Sequence, residues 1–66
     1  MYVLIECIER EIEGEKFDTY EEAYCVMKEA YESYYDSFYE SEISEWYAWG
    51  NDGPNHDNYD WKILEL

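Results

Sequence analysis

Carboxylates offer most of the chemistry in this chain. Its 66 residues include 18 Asp and Glu against four Lys and Arg, a formal net charge of −14. Glu6, Glu9, Glu11, Glu13 and Glu15 crowd one polar stretch. If that stretch is extended, alternate residues lie on one side of the backbone about 6.6–6.8 Å apart. Phosphates along one strand of a nucleic-acid duplex have a comparable separation. Such a row can enter a groove lined with Lys and Arg as a phosphate backbone does. Glu21, Glu22, Glu29, Glu32, Asp36 and Glu40 extend the acidic set. The plain alternative is a solvated face that keeps the chain dissolved.

Other constellations are weaker. Asn51, Asp52, Asn55, His56, Asp57, Asn58 and Asp60 form an oxygen-rich loop. A calcium loop needs a bidentate Glu at its twelfth position; counted from Asn51, that position is Lys62. The single histidine, His56, has no further residues to complete a zinc ligand set. The loop is therefore read as structural, with partner contact or a cation as alternatives. Cys7 and Cys25 are expected to be free thiols, Cys7 as a small core residue. There is no Ser-His-Asp spacing, glycine-rich phosphate loop or HExxH. Carboxylate pairs are so common here that any of them meets a glycosidase template by chance. No catalytic residue, metal ligand or cofactor is expected, and the chain is read as a non-enzyme.

These side chains must be held by a very small fold. A 66-residue chain makes one domain, which hides roughly 60% of the surface its unfolded chain exposes. Like-charge repulsion thins its stability further. Nine Tyr, three Trp and two Phe offset this, because each large ring can bury about 150–250 Å². An acidic disordered tail would lack such rings. No stretch approaches the roughly 20 apolar residues of a membrane span. Met1 to Glu6 lacks the basic start of a signal peptide, so a cytoplasmic protein is expected.

Along the chain, Tyr2 to Ile8 reads as a strand, with Val3, Ile5 and Cys7 opposite Tyr2, Leu4, Glu6 and Ile8. Glu9 to Lys16 is either a loop or a strand extension turning back near Glu13-Gly14. Thr19 and Glu22 make a capping box. The apolar stripe Tyr20, Ala23, Tyr24, Met27, Ala30, Tyr31, Tyr34 and Phe38 predicts a helix from Tyr20 to about Tyr39. Its end could fall at Asp36-Ser37 or at Ser41-Glu42. Ile43 to Trp49 alternates as a strand, with Ile43, Glu45, Tyr47 and Trp49 on one side. Gly50 to Asn58 is a loop, and Tyr59 to Leu66 a strand antiparallel to the preceding one. The expected fold is α+β, in the order β-α-β-β, with one long helix on a three-stranded, mainly antiparallel sheet. One helix covers one sheet face, yet the strands are apolar or aromatic on both. The second face is left for a homodimer or a partner.

Tyr35, Tyr39 and Tyr47 lie off the helix stripe, and surface tyrosine favours interfaces. Stacking of single-stranded nucleic acid on these rings is opposed by the net charge. In composition, the acidic run Glu6 to Glu22, the helix face Glu29-Glu32-Asp36 and the rings Trp46, Tyr47 and Trp49 together resemble small acidic anti-defence inhibitors. These are phage and mobile-element proteins of the anti-CRISPR and DNA-mimic antirestriction kinds. The resemblance implies an inhibitor that occupies the nucleic-acid groove of a host defence nuclease, in the host cytoplasm. The expected partner-binding set is Glu9, Glu11, Glu13, Glu15, Glu29, Glu32 and Asp36 with Tyr39, Tyr47 and Trp49. Direct binding of nucleic acid or membrane is not expected. The alternative is a dimeric structural or regulatory adaptor that uses an aromatic sheet face.

Overall fold

A computed structural model describes residues 1–53 and 58–66. The elements are β1 (Tyr2–Ile8), β2 (Glu11–Phe17), α1 (Tyr20–Tyr34), a 3-10 turn (Tyr35–Ser37), β3 (Glu40–Ile43), β4 (Tyr47–Asn51) and β5 (Asn58–Glu65). The fold is α+β, with one α-helix on an antiparallel sheet. That sheet has five strands rather than the expected three, in the order β2-β1-β5-β4-β3. No helix among the described residues is long and apolar enough to cross a membrane.

The two extra strands have separate origins. The first comes from the acidic stretch, which is a full strand, β2, paired along all of β1 from Ile8↔Glu11 to Tyr2↔Phe17. The chain reverses at Glu9 and Arg10, with φ of 51° and 74°, and not near Gly14. Two positive-φ residues in a two-residue loop suit the right-handed twist of a hairpin. Non-glycine residues usually avoid that region. The second extra strand comes from splitting Ile43–Trp49. A turn at 44–46, closed by the Ser44 N–H donating to the Tyr47 carbonyl at 2.8 Å, separates β3 from β4. Gly50 and Asn51, expected in a loop, continue β4, and Asn58 opens β5.

Helix α1 starts as its capping residues require. The Glu22 N–H donates to Thr19 Oγ1 at 3.2 Å, satisfying one orphan amide. The Glu22 carboxylate accepts from the Thr19 hydroxyl at 3.0 Å instead of reaching back to the Thr19 N–H. Ala23, Met27 and Tyr31 are buried, while Tyr20, Tyr24, Ala30 and Tyr34 pack around them. The helix ends at Tyr34, short of the expected Tyr39. The Tyr35 N–H bonds the Glu32 carbonyl, which tightens the chain into the 3-10 turn. Phe38 then becomes extended, at φ −80° and ψ 131°. This swings its ring between Tyr31, Tyr59 and Trp61, with centroids 5.4–6.4 Å apart.

Cross-strand register assigns every strand residue to a face. Leu4, Ala48, Tyr59, Trp61 and Ile63 are buried under the helix. Trp61 is the largest fully buried side chain, and its indole N–H donates to Glu6 Oε2 at 2.6 Å. Gly50 shares this face. A Cβ there would lie 2.7 Å from three carbons of the Phe38 ring, so the missing side chain makes room for the aromatic cluster. On β1 and β5 the expected alternation is observed: Tyr2, Leu4 and Ile8 pack on the helix side, as do Tyr59, Trp61 and Ile63. Ile43 faces the helix, opposite Ala48, and so does not share a side with Tyr47 and Trp49.

Candidate functional site

Register places Glu11, Glu13 and Glu15 opposite Ile8, Glu6 and Leu4, all on the helix-bearing face of the sheet. All three are exposed on the edge strand β2. As alternate residues of a strand, their Cα atoms are spaced about 6.6–6.8 Å apart. Glu9 stands at the hairpin turn beside this row. Glu21, Glu22, Glu29 and Glu32 are exposed on α1 above the same face, and Asp36 is exposed in the 3-10 turn. The acidic members of the expected site therefore occupy one side of the molecule. Lys28 is the one cation among the exposed helix residues.

The aromatic members lie elsewhere. Tyr47 and Trp49 alternate on β4 and project from the opposite, open face of the sheet. One carboxylate oxygen, Glu42 Oε1, accepts from the Tyr47 hydroxyl at 3.0 Å and from Trp49 Nε1 at 3.3 Å. The Glu42 carboxylate raises the Tyr47 pKa, chiefly through this hydrogen bond and then through its charge. Tyr39 is 72% exposed, and its N–H is tied to the Asn51 carbonyl at 2.7 Å. It lines an open groove of about 470 Å³ with Tyr35, Phe38, Glu40, Ser41 and Trp49. Tyr39 and Trp49 thus meet at the β3 edge, while the acidic row runs along the other edge, β2. Trp46 does not join Tyr47 and Trp49. Its ring packs on Tyr20, centroids 4.8 Å apart, and on Tyr2 at 6.3 Å.

Charge divides with the faces. Among the described strand residues, the open face carries Glu40, Glu42 and Asp60 with Lys16 and Lys62. The helix side carries Glu6, Glu11, Glu13, Glu15 and Glu65 on its strands, plus the helix carboxylates. Sequence reasoning missed Glu42, whose role appears only once Glu42↔Trp49 pairing is known. It also missed Ile12, which is 73% exposed on the open face. The alternation Ile12, Gly14, Lys16 against Glu11, Glu13, Glu15 was the available signal.

Cys7 is half-buried on the open face rather than in the core, and Cys25 is exposed on α1; both are free thiols. Among the described residues, no group of three His, Cys, Asp or Glu side chains could hold a metal ion. Of the expected oxygen-rich loop, Asn55, His56 and Asp57 lie outside the described residues, while Asn51 belongs to β4 and Asn58 and Asp60 to β5. Comparison with protein-family models, with curated proteins and with solved structures gives no match to this chain.

Proposed function

We propose that the protein is a non-enzymatic inhibitor that presents its helix-side carboxylates to a basic, nucleic-acid-binding surface of another protein, as an acidic DNA mimic. A defence nuclease of the CRISPR or restriction type is the partner class. The observation that carries this reading is the one-sided distribution of acid. Glu11, Glu13 and Glu15 share a face with Glu6 and lie on the same side as the exposed helix carboxylates. A field concentrated on one side steers a basic groove toward that side and speeds encounter. Tyr35 and Tyr39, exposed at the rim of the groove, are available as short-range anchors.

The test uses a panel of purified CRISPR and restriction nucleases. Their duplex binding is measured with and without this protein, and the association rate for any nuclease bound is followed across salt concentration. Binding that competes with DNA, with an association rate falling steeply as salt rises, supports the mechanism. The triple variant Glu11→Gln/Glu13→Gln/Glu15→Gln should then associate at least about tenfold more slowly at low salt. An association rate indifferent to salt, or DNA binding unaffected across the panel, would sink it.

A further inference from the structure

The open face of the sheet needs a cover. Val3, Ile5 and Cys7 of β1, Ile12 of β2, Leu64 of β5 and Tyr47 of β4 all project from it. They are contiguous: Cys7 pairs with Ile12, Val3 with Leu64, and Ile5 lies between these two rows. Ile12, Leu64 and Tyr47 are 73%, 41% and 40% exposed. No element among the described residues packs on this side, since α1 lies on the other. An apolar area continuous across three strands is the mark of an interaction surface.

We infer that this face is where two copies of the chain meet, sheet against sheet. The argument is electrostatic. Two molecules of charge −14 repel each other over most of their surface. The open face is the exception, because Lys16 and Lys62 nearly balance Glu40, Glu42 and Asp60 there. A basic partner is drawn to the opposite side, so the near-neutral face suits a second copy best. The charges are also self-complementary. Lys62 and Asp60 alternate on the central strand β5, flanked by Ile5 and Tyr47 on one row and by Cys7 and Trp49 on the next. A two-fold axis lying in the interface plane, perpendicular to the strands and midway between those rows, sets each Lys62 against the second copy's Asp60, and the reverse, as an isologous contact requires.

Edge-to-edge pairing is the competing way to join two such sheets, and the edges oppose it. An antiparallel β2–β2 pair would set Glu11, Glu13 and Glu15 against their own copies, and β3 would do the same with Glu40 and Glu42. Size is adequate for the face-to-face contact. With strands of four to eight residues spaced about 4.8 Å apart, the sheet face spans roughly 500 Å², the scale of a small, reversible interface. The result is a four-layer particle, helix-sheet-sheet-helix, with the sheets about 10 Å apart and both acidic helix sides outward.

Sedimentation equilibrium at about 0.15 M salt tests this, where surface repulsion is partly screened. The expected species has twice the 8.1 kDa monomer mass. Ile12→Glu/Leu64→Glu should sediment as a monomer, with circular dichroism confirming that the fold is kept; both side chains are exposed, so folding does not need them. Lys62→Glu should weaken association by about tenfold or more, and Lys62→Glu/Asp60→Lys should restore it. A wild-type monomer at the highest concentration reached overturns the inference. So does a dimer that Ile12→Glu/Leu64→Glu leaves intact. Neither result bears on nuclease binding, which the competition assay reads separately.

Discussion

Replacing Gly50 with alanine adds one methyl group at the tightest place in the aromatic cluster. Its Cβ would sit 2.7 Å from three carbons of the Phe38 ring. Carbon atoms rest comfortably about 3.5–4.0 Å apart, so the ring must retreat by roughly 1 Å. It has little room to do so. Its centroid is 5.5 Å from Tyr31, 5.4 Å from Tyr59 and 6.4 Å from Trp61, and those three side chains are buried. Overpacking of this kind costs about 1–3 kcal/mol. Against it stands the gain from removing a glycine from a strand interior, roughly 0.5–1 kcal/mol. The net expectation is a loss of about 1–2 kcal/mol, a large part of the roughly 3–5 kcal/mol that a core of this size supplies. Urea unfolding followed by tryptophan fluorescence should show the midpoint lowered with the slope unchanged. Phe38→Leu alone also destabilises, but combined with Gly50→Ala it should cost less than the two single changes added together. A Gly50→Ala protein as stable as the wild type, or more stable, refutes the steric reasoning.

Other predictions follow from named contacts. Glu6→Ala leaves the buried Trp61 indole N–H without its 2.6 Å acceptor, and should cost about 1–3 kcal/mol in urea unfolding. Glu6→Gln keeps an acceptor and should lose less; equal losses would count against the hydrogen bond. Four tyrosines hold their protons above the ordinary value of 10.0: Tyr59 and Tyr20 mainly through burial, Tyr2 mainly through the Glu65 charge, and Tyr47 through its hydrogen bond to Glu42. Above that value the folded chain binds more protons than the unfolded one. The stabilisation is therefore complete below about pH 10 and is lost as pH rises through the raised values. Urea midpoints that stay flat or climb through this range contradict the assignment. Added salt should raise the melting temperature by screening self-repulsion, while it slows association with a basic partner. Melting that falls with salt would mean that attractive pairs, and not repulsion, dominate the folded state.

The helix and strands β1 and β5 were legible because their signals are local. Thr19 and Glu22 mark a start, the Tyr20–Tyr34 stripe has one period, and Tyr59–Leu66 alternates cleanly. Two hairpins were not. Glu9-Arg10 adopts positive φ without the Asn or Gly that announces such a turn. The turn at 44–46 has no Gly or Pro, and tertiary bonds hold it: the Ile63 N–H donates to the Trp46 carbonyl at 2.8 Å, and the Tyr20 hydroxyl donates to the Glu45 carbonyl. Strand β2 was obscured because its glutamates face the helix side beyond the helix's cover, so neither face reads as core. The exposed acids were legible from composition. Their separation from Tyr47 and Trp49 was not, because it depends on a register spanning all five strands.

The unequal charging of the two faces gives a single chain a large electric dipole, directed through its thickness. Such a body turns in a partner's field before it touches, so its diffusional search is confined to one hemisphere. Stacking two chains back to back would cancel that dipole and leave a particle with two equivalent acidic poles. Orientation would then no longer matter on approach. A second basic groove could be engaged by the free pole, at the effective concentration set by the particle's own length.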